Sequence, residues 1–197
     1  MIDPFVPLPS YFRHRSRLHG QSHVARVMVH ALRLIEATGW EHEAARLWAA
    51  VYLHDLERTH DGRCTRHGAA AVERWQTQLP LQLHIMSGGV MESDYPAIAH
   101  AVEVHCHPDS EEPPRDHADW PLVALLKDAD GLDRVRLGDL DTNYLRLPQS
   151  LEMVPFAQQL FDLTNGEIPE GEEHWVDLTT AAGEILTGMS RPVIPPD

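Results

Sequence analysis

The chain has 197 residues, enough for one hydrophobic core, and its hydrophobic content of 43% is ordinary for a globular protein. Its formal net charge of −14 argues against nucleic-acid binding through a broad basic surface, and no apolar run approaches the roughly 20 residues that cross a bilayer. We therefore expect a single cytoplasmic domain over residues 1–197, with no membrane or nucleic-acid partner, no signal peptide and two reduced thiols, Cys64 and Cys106.

Helical periodicity accounts for most of the chain, because apolar residues recur at spacings of three, four and seven positions. The first predicted helix runs from about Gln21 to Thr38, with Val24, Met28 and Ile35 on one face, and Gly39 ends it. The further helices are predicted at about Glu41 to Leu56, at residues 66–79, 95–107 and 120–135, at about Leu151 to Leu163 and at about His174 to Met189.

Period-2 alternation is scarce in this sequence, so we expect no sheet of consequence. The predicted architecture is an all-α bundle, irregular rather than a symmetric four-helix type. We expect the C-terminal helices, at about residues 150–190, to pack on the preceding ones.

The segment AAVYLHDLERTHDG, residues 49–62, places a histidine and an acid at the apolar end of the second predicted helix. His54 lies seven positions after Leu47, and Asp55 lies four positions after Val51. Residues at these spacings share a helix face, so both side chains should reach the inner edge of the bundle.

Other predicted helices also bring polar side chains to the buried face. His23 opens the first helix, His105 lies seven positions after Ile98, and Asp130 lies four positions after Leu126. A buried charge is usually paired or bound to a metal, and imidazole nitrogens with carboxylate oxygens suit Mn, Fe, Co, Ni, Zn and, with fewer histidines, Mg. The sequence therefore favours a divalent metal ion that these side chains share.

The order His23, then His54-Asp55, then Asp130 resembles the H…HD…D pattern of the HD-domain superfamily of metal-dependent phosphohydrolases. The stretches HGQSHVARV, AAVYLHDLERTHDG, RHGAAA and LLKDADGLDRVRLGD are similar to those of small bacterial HD proteins, over about residues 16–140. The resemblance implies an all-helical domain with the metal at its centre, held by His23, His54, Asp55 and Asp130.

Asp128 competes with Asp130 for the last ligand position. The two lie two residues apart, about 200° around a helix, so both should not face one ion, and the resemblance favours Asp130. His67 and His105 lie in stretches where some HD enzymes have ligands for a second metal ion. They could equally bind a substrate phosphate or surround a single ion, and both alternatives stay open.

Arg58 follows Asp55 by three residues and should project near the same mouth, where its guanidinium could bind a phosphate. The alternative is a salt bridge to Asp61. Arg134 is expected to pair with an acid such as Asp133. His30, among apolar neighbours, is expected to be a hydrogen-bonded structural residue.

These residues and the resemblance together predict hydrolysis of a small phosphate ester or nucleotide by a metal-activated water. Asp55 would accept the proton of the water, Arg58 would stabilise charge on the phosphoryl group, and His67 or His105 would protonate the leaving oxygen. Two alternatives remain: a di-iron HD-type oxygenase, favoured by the extra histidines, and a non-catalytic metal- or ligand-binding helical module.

Overall fold

A computed structural model describes residues 7–75 and 90–164, and within these ranges every regular element is a helix. The expected all-α fold is therefore confirmed. Short 3-10 turns connect the six α-helices of the described ranges, which are α1 (Gln21–Thr38), α2 (Ala44–Leu53), α3 (His67–Trp75), α4 (Tyr95–Val104), α5 (Trp120–Leu132) and α6 (Pro148–Thr164).

The α1 helix has the predicted bounds, whereas α2 ends earlier than the predicted Leu56. Its backbone tightens after Leu53, because the amide of Leu56 donates to the carbonyl of Leu53 at 3.1 Å instead of continuing the α-helical ladder. His54 and Asp55 therefore lie in the turn that closes the helix.

The bounds of the later helices also differ from the predicted ones. Helix α4 ends at Val104, just before His105, and α5 continues beyond Leu132 as a 3-10 helix over Asp133–Leu137. The last described helix, α6, begins three residues earlier than predicted. Residues 76–79 and the helix predicted at His174 to Met189 lie outside the described residues.

The helices pack around one core of fully buried side chains. Helix α1 contacts α2 and α5, helix α4 contacts α2, α3 and α5, and α6 packs on α1 and α5. In the described ranges no helix combines the length and apolarity needed to span a membrane. The centre of this core contains Met28, Leu47, Val51, Val102, Leu125 and Leu126.

A glycine sets the distance between α3 and α4. A Cβ atom at Gly68 would overlap the backbone carbonyl oxygen of Val102, so only glycine permits this approach. The neighbouring residue, His67, is thereby brought against His105 at the end of α4.

Candidate metal centre

Helices α1 and α5 and the turn that closes α2 bring together the four predicted metal ligands, His23, His54, Asp55 and Asp130. The Nε2 atom of His23 lies 3.2 Å from Nε2 of His54, 3.3 Å from Oδ1 of Asp130 and 3.4 Å from Oδ2 of Asp55. His23 and His54 are fully buried, and Asp55 is 4% exposed. Residues more than 100 positions apart in sequence thus converge on one small volume.

Hydrogen bonds orient the two imidazoles of this cluster. Nδ1 of His54 donates to the carbonyl of Val51 at 2.7 Å, and Nδ1 of His23 donates to Oδ2 of Asp133 at 2.8 Å. Since each Nδ1 carries the proton of a neutral ring, each Nε2 carries a lone pair. Two lone pairs that face each other across 3.2 Å cannot hydrogen-bond, whereas a cation between them would engage both. The donor set therefore fits a metal ion.

In the metal-free protein a proton takes this position. Burial and the charge of Arg136 disfavour protonated His23, but the carboxylates of Asp130, Asp133 and Asp55 outweigh them and raise its pKa to about 9. Burial lowers the pKa of His54, so that ring stays neutral. This proton on His23 balances part of the charge of the neighbouring carboxylates, as a metal ion would.

Asp133 is the residue that sequence reasoning missed. Its fully buried carboxylate accepts from His23 and also pairs with Arg26 and Arg136. Burial opposes its ionisation, but the charges of Arg26 and His23 keep the pKa of Asp133 below its usual value. The sequence suggested a pair between Asp133 and Arg134, but the two residues do not pair. The spacing could have indicated its place near the site, since Asp133 lies three residues after Asp130, on the same helix face.

Asp55 lies between two groups of side chains and offers one oxygen to each. Its Oδ2 faces His23 and accepts from Nδ1 of His19 at 2.9 Å, and its Oδ1 lies 3.1 Å from Nε2 of His67. Burial raises its pKa, but the neighbouring histidines outweigh that effect and hold the pKa of Asp55 well below the usual value. The carboxylate is therefore ionised and joins the two groups.

His67 and His105 form the second group, on the other side of Asp55. Their Nε2 atoms lie 3.0 Å apart, and Nδ1 of His105 donates to the carbonyl of Val102 at 2.6 Å. Burial disfavours protonated His67, but the hydrogen bond to Asp55 outweighs it and raises the pKa of His67 to about 10. Burial lowers the pKa of His105 to about 3. The pair thus consists of a cationic donor and a neutral acceptor.

Arg58 lies at the mouth of the same site, as predicted. Its Nη1 is 3.4 Å from Oδ1 of Asp55 and 3.3 Å from Nε2 of His67, and its Nη2 donates to the carbonyl of Gly62 at 3.0 Å. It does not pair with Asp61, whose carboxylate lies 3.5 Å from His14. The guanidinium is thus held beside the central acid instead of at the outer surface.

The geometry also separates Asp130 from Asp128. Asp128 is fully buried on another face of α5, where it accepts from the backbone amide of Leu147 at 2.8 Å and from the hydroxyl of Ser150 at 2.6 Å. Both donors belong to the start of α6 or the residue before it. Asp128 therefore anchors α6, and Asp130 alone of the two faces His23.

His30 differs from the expectation of a hydrogen-bonded residue. It is fully buried, its ring packs edge-on against Phe156, and neither ring nitrogen has a hydrogen-bond partner among the described residues. Burial lowers its pKa to about 4. His30 is therefore a neutral core residue and takes no part in the polar cluster.

A cleft of about 750 Å³ opens onto the cluster and gives solvent access to it. Its inner wall includes Asp55, Arg58, His67, His105 and Asp130. This volume lies within the range of small-molecule sites in proteins. All the predicted catalytic residues therefore border one cleft.

Three groups of side chains here could hold a metal ion, because the ligand atoms within each group lie within 4.8 Å of one another, and two of the groups share His23. The three groups are His23 with His54 and Asp130, His19 with His23 and Asp55, and His67 with His105 and Cys106. The donor atoms leave the identity of the ion open.

No family model, curated protein or solved structure matches the chain.

Proposed function

We propose that this chain is a metal-dependent phosphohydrolase of the HD-domain type, which hydrolyses a small phosphate ester or nucleotide. The observation that carries the proposal is the convergence of His23, His54, Asp55 and Asp130, in the H…HD…D order, beside an open cleft that Asp55 and Asp130 line. The buried carboxylate of Asp55, the half-buried carboxylate of Asp130 and the inward-facing imidazole lone pairs support a bound divalent ion.

The four converging residues would hold the ion. When bound, it supplies Lewis acidity, which lowers the pKa of a water molecule toward about 7 and withdraws charge from a phosphoryl oxygen. Asp133 holds the ring of His23 in the orientation in which Nε2 faces the site. The carbonyl of Val51 does the same for His54.

Arg58 would bind the substrate, and His67 would bind and protonate it. Nη1 of Arg58 and Nε2 of His67 lie 3.3 Å apart, and both are donors when His67 is protonated. Two positive donors on the cleft wall favour an anion with several oxygens, such as a phosphoryl group. They would bind two of its oxygens in the substrate complex.

The raised pKa of His67 also separates its role from that of His105. His67 carries a proton at neutral pH in the metal-free protein, so its Nε2 can donate to a leaving oxygen. His105 is neutral and its Nε2 accepts, which suits a ligand or a support for His67. Asp55, ionised and in contact with both groups, is the candidate acceptor for a proton of the attacking water.

Phosphatase and nucleotidase assays with several divalent metals test this proposal. We expect metal-dependent turnover in the wild type. In Asp55→Ala we expect a loss of at least about a hundredfold with retained helical circular dichroism, because a ligand and a proton acceptor are removed together. His60→Ala changes an exposed neighbour and is the matched control. Full activity of Asp55→Ala with bound metal would contradict the assignment.

A second candidate function is oxygen-dependent chemistry at a pair of iron ions. The observation that favours it is the position of Asp55, whose two oxygens face His23 on one side and His67 on the other. Elemental analysis and oxygen-uptake measurements separate the two functions. Two irons per chain with substrate-dependent oxygen consumption would support the oxygenase, and one metal per chain without uptake would exclude it.

A further inference from the structure

A second cavity, of about 760 Å³, lies beside the metal cleft and is separated from it by Arg136, which borders both. Its walls are the loop over residues 15–20, the first turn of α1, Arg136 in the 3-10 helix after α5, and the end of α6 at Phe161 and Thr164. None of the predicted metal ligands lines it.

The cavity wall is strongly basic although the chain as a whole is acidic. Four arginines line it, and none of the described lining residues is acidic. The guanidinium groups of Arg15 and Arg17 are exposed and form no ion pair or hydrogen bond within the described part of the chain. The other two, Arg26 and Arg136, are held behind them by Asp133. Two fixed and two free positive charges thus face one space.

The loop that carries the two free arginines is held in shape from both sides. The hydroxyl of Ser16 accepts from the backbone amides of Leu18 at 2.9 Å and His19 at 3.1 Å. A Cβ atom at Gly20 would overlap the carbonyl oxygen of Ser16, so the turn is closed tightly. Arg136 donates from Nε to the carbonyl of Leu18 at 2.9 Å. These contacts preorganise the basic wall.

Two further features favour a ligand at this position. Gln21 is more than nine-tenths buried, lines the cavity and has an Oε1 atom without a hydrogen-bond partner among the described residues, while its Nε2 donates to Pro7. Gly20, the N-cap of α1, provides no side-chain cap, so the positive end of an 18-residue helix faces the same wall. The helix N-terminus suits an oxygen-rich anion, whereas Oε1 of Gln21, which can only accept, suits a donor such as a hydroxyl group of the ligand.

We propose that this cavity binds a small polyanion of the phosphate class at a site separate from the metal centre. Guanidinium groups bind phosphate oxygens in pairs, and a helix N-terminus adds favourable dipole and N–H interactions. Binding requires no metal ion, so the proposal stands independently of the phosphohydrolase assignment.

Titration of the full chain with pyrophosphate, after removal of metal by a chelator, tests the proposal. Isothermal calorimetry should show one binding event that weakens with added NaCl. The double variant Arg15→Ala/Arg17→Ala should lose about tenfold or more in affinity, because it removes the two free guanidinium groups. Both residues are exposed, so circular dichroism and thermal unfolding should not change.

The matched control is Arg66→Ala/Arg115→Ala, which removes the same charge from exposed positions outside this cavity. We expect it to bind pyrophosphate within about twofold of the wild type, since only distant and screened charges are lost. Equal losses in both double variants would show general charge attraction and would overturn the proposal. Absence of binding to the wild type, or its loss in Arg58→Ala at the metal cleft, would overturn it as well.

Discussion

Asp133 accepts a hydrogen bond of 2.8 Å from Nδ1 of His23, and both side chains are fully buried. Nδ1 faces away from the ligand cluster, so Asp133 determines that Nε2 faces into it. Such a carboxylate–histidine pair fixes the tautomer of a metal-ligating imidazole and increases its basicity. Asp133 therefore controls His23 without touching the ion site.

Asp133→Asn should weaken metal binding by about 10- to 100-fold, because an amide neither fixes the ring nor raises its basicity as a carboxylate does. Calorimetric titration with a divalent metal measures the change. Asp139→Ala is the control, since it removes an exposed acid that pairs with Arg134. Unchanged metal affinity in Asp133→Asn would show that His23 is oriented by its packing alone.

Metal affinity should rise with pH across the neutral range. His23 has a pKa of about 9 and His67 of about 10 in the metal-free protein, so both carry protons at pH 7. An ion that binds His23 must displace its proton, which makes binding weaker at low pH, by about tenfold per pH unit for each proton released. Calorimetry in buffers of different ionisation enthalpy counts these protons, and a pH-independent affinity would contradict the charge state of His23.

The two neighbouring aspartates of α5 should have opposite effects when replaced. Asp130→Ala should abolish or strongly reduce metal binding with little loss of stability. Asp128→Ala should keep metal binding but lower the free energy of unfolding by about 2–4 kcal/mol, because buried donors of Leu147 and Ser150 lose their acceptor. Metal content and urea denaturation of both variants test these opposite effects. Metal loss in Asp128→Ala alone would show that Asp128, and not Asp130, is the metal ligand.

Gly68→Ala should separate α3 from α4, since its Cβ atom would overlap the carbonyl of Val102. We expect a loss of about 1–3 kcal/mol in the free energy of unfolding. The contact between His67 and His105 should be disturbed. We therefore expect lower phosphohydrolase activity, with unchanged metal binding on the His23 side of Asp55. Ala69→Ser, at an exposed position of the same helix, should be close to neutral in both measurements.

His30 should make the protein less stable as the pH falls. Its folded-state pKa of about 4 lies below the unfolded value of 6.5, so between these values the unfolded chain binds more protons. Unfolding is therefore favoured below pH 6.5, by about 2 kcal/mol at pH 5. His30→Leu should remove this part of the pH dependence in urea denaturation, whereas His42→Leu, at an exposed position, should leave it unchanged.

The part of the candidate site that depends on helix geometry could be predicted from the sequence. Periodicity places His54, Asp55 and Asp130 on buried faces, because positions three, four and seven apart share a face in any α-helix. It also indicates that Asp128 and Asp130 do not face one ion, and the choice of Asp130 came from the resemblance to HD-domain proteins. Spacing within one helix is a local property, so no knowledge of the other helices is needed for it.

The expectations that differed from the structure concern contacts between segments. Asp133 pairs with His23 across 110 positions of sequence, and Arg134 pairs instead with Asp139. His30 has no hydrogen-bond partner among the described residues although its polarity suggested one. These partners depend on which helices cross and where.

The amino-acid sequence predicts the helical fold class, the bounds of α1 and, together with the resemblance to HD-domain proteins, the histidines and aspartates that converge. The folded chain is needed to see that Asp55 offers one oxygen to His23 and the other to His67, and that Asp133 holds the far nitrogen of His23. Helical periodicity fixes the face on which a side chain lies, whereas its partner atoms are set by the close packing of helices from distant parts of the chain.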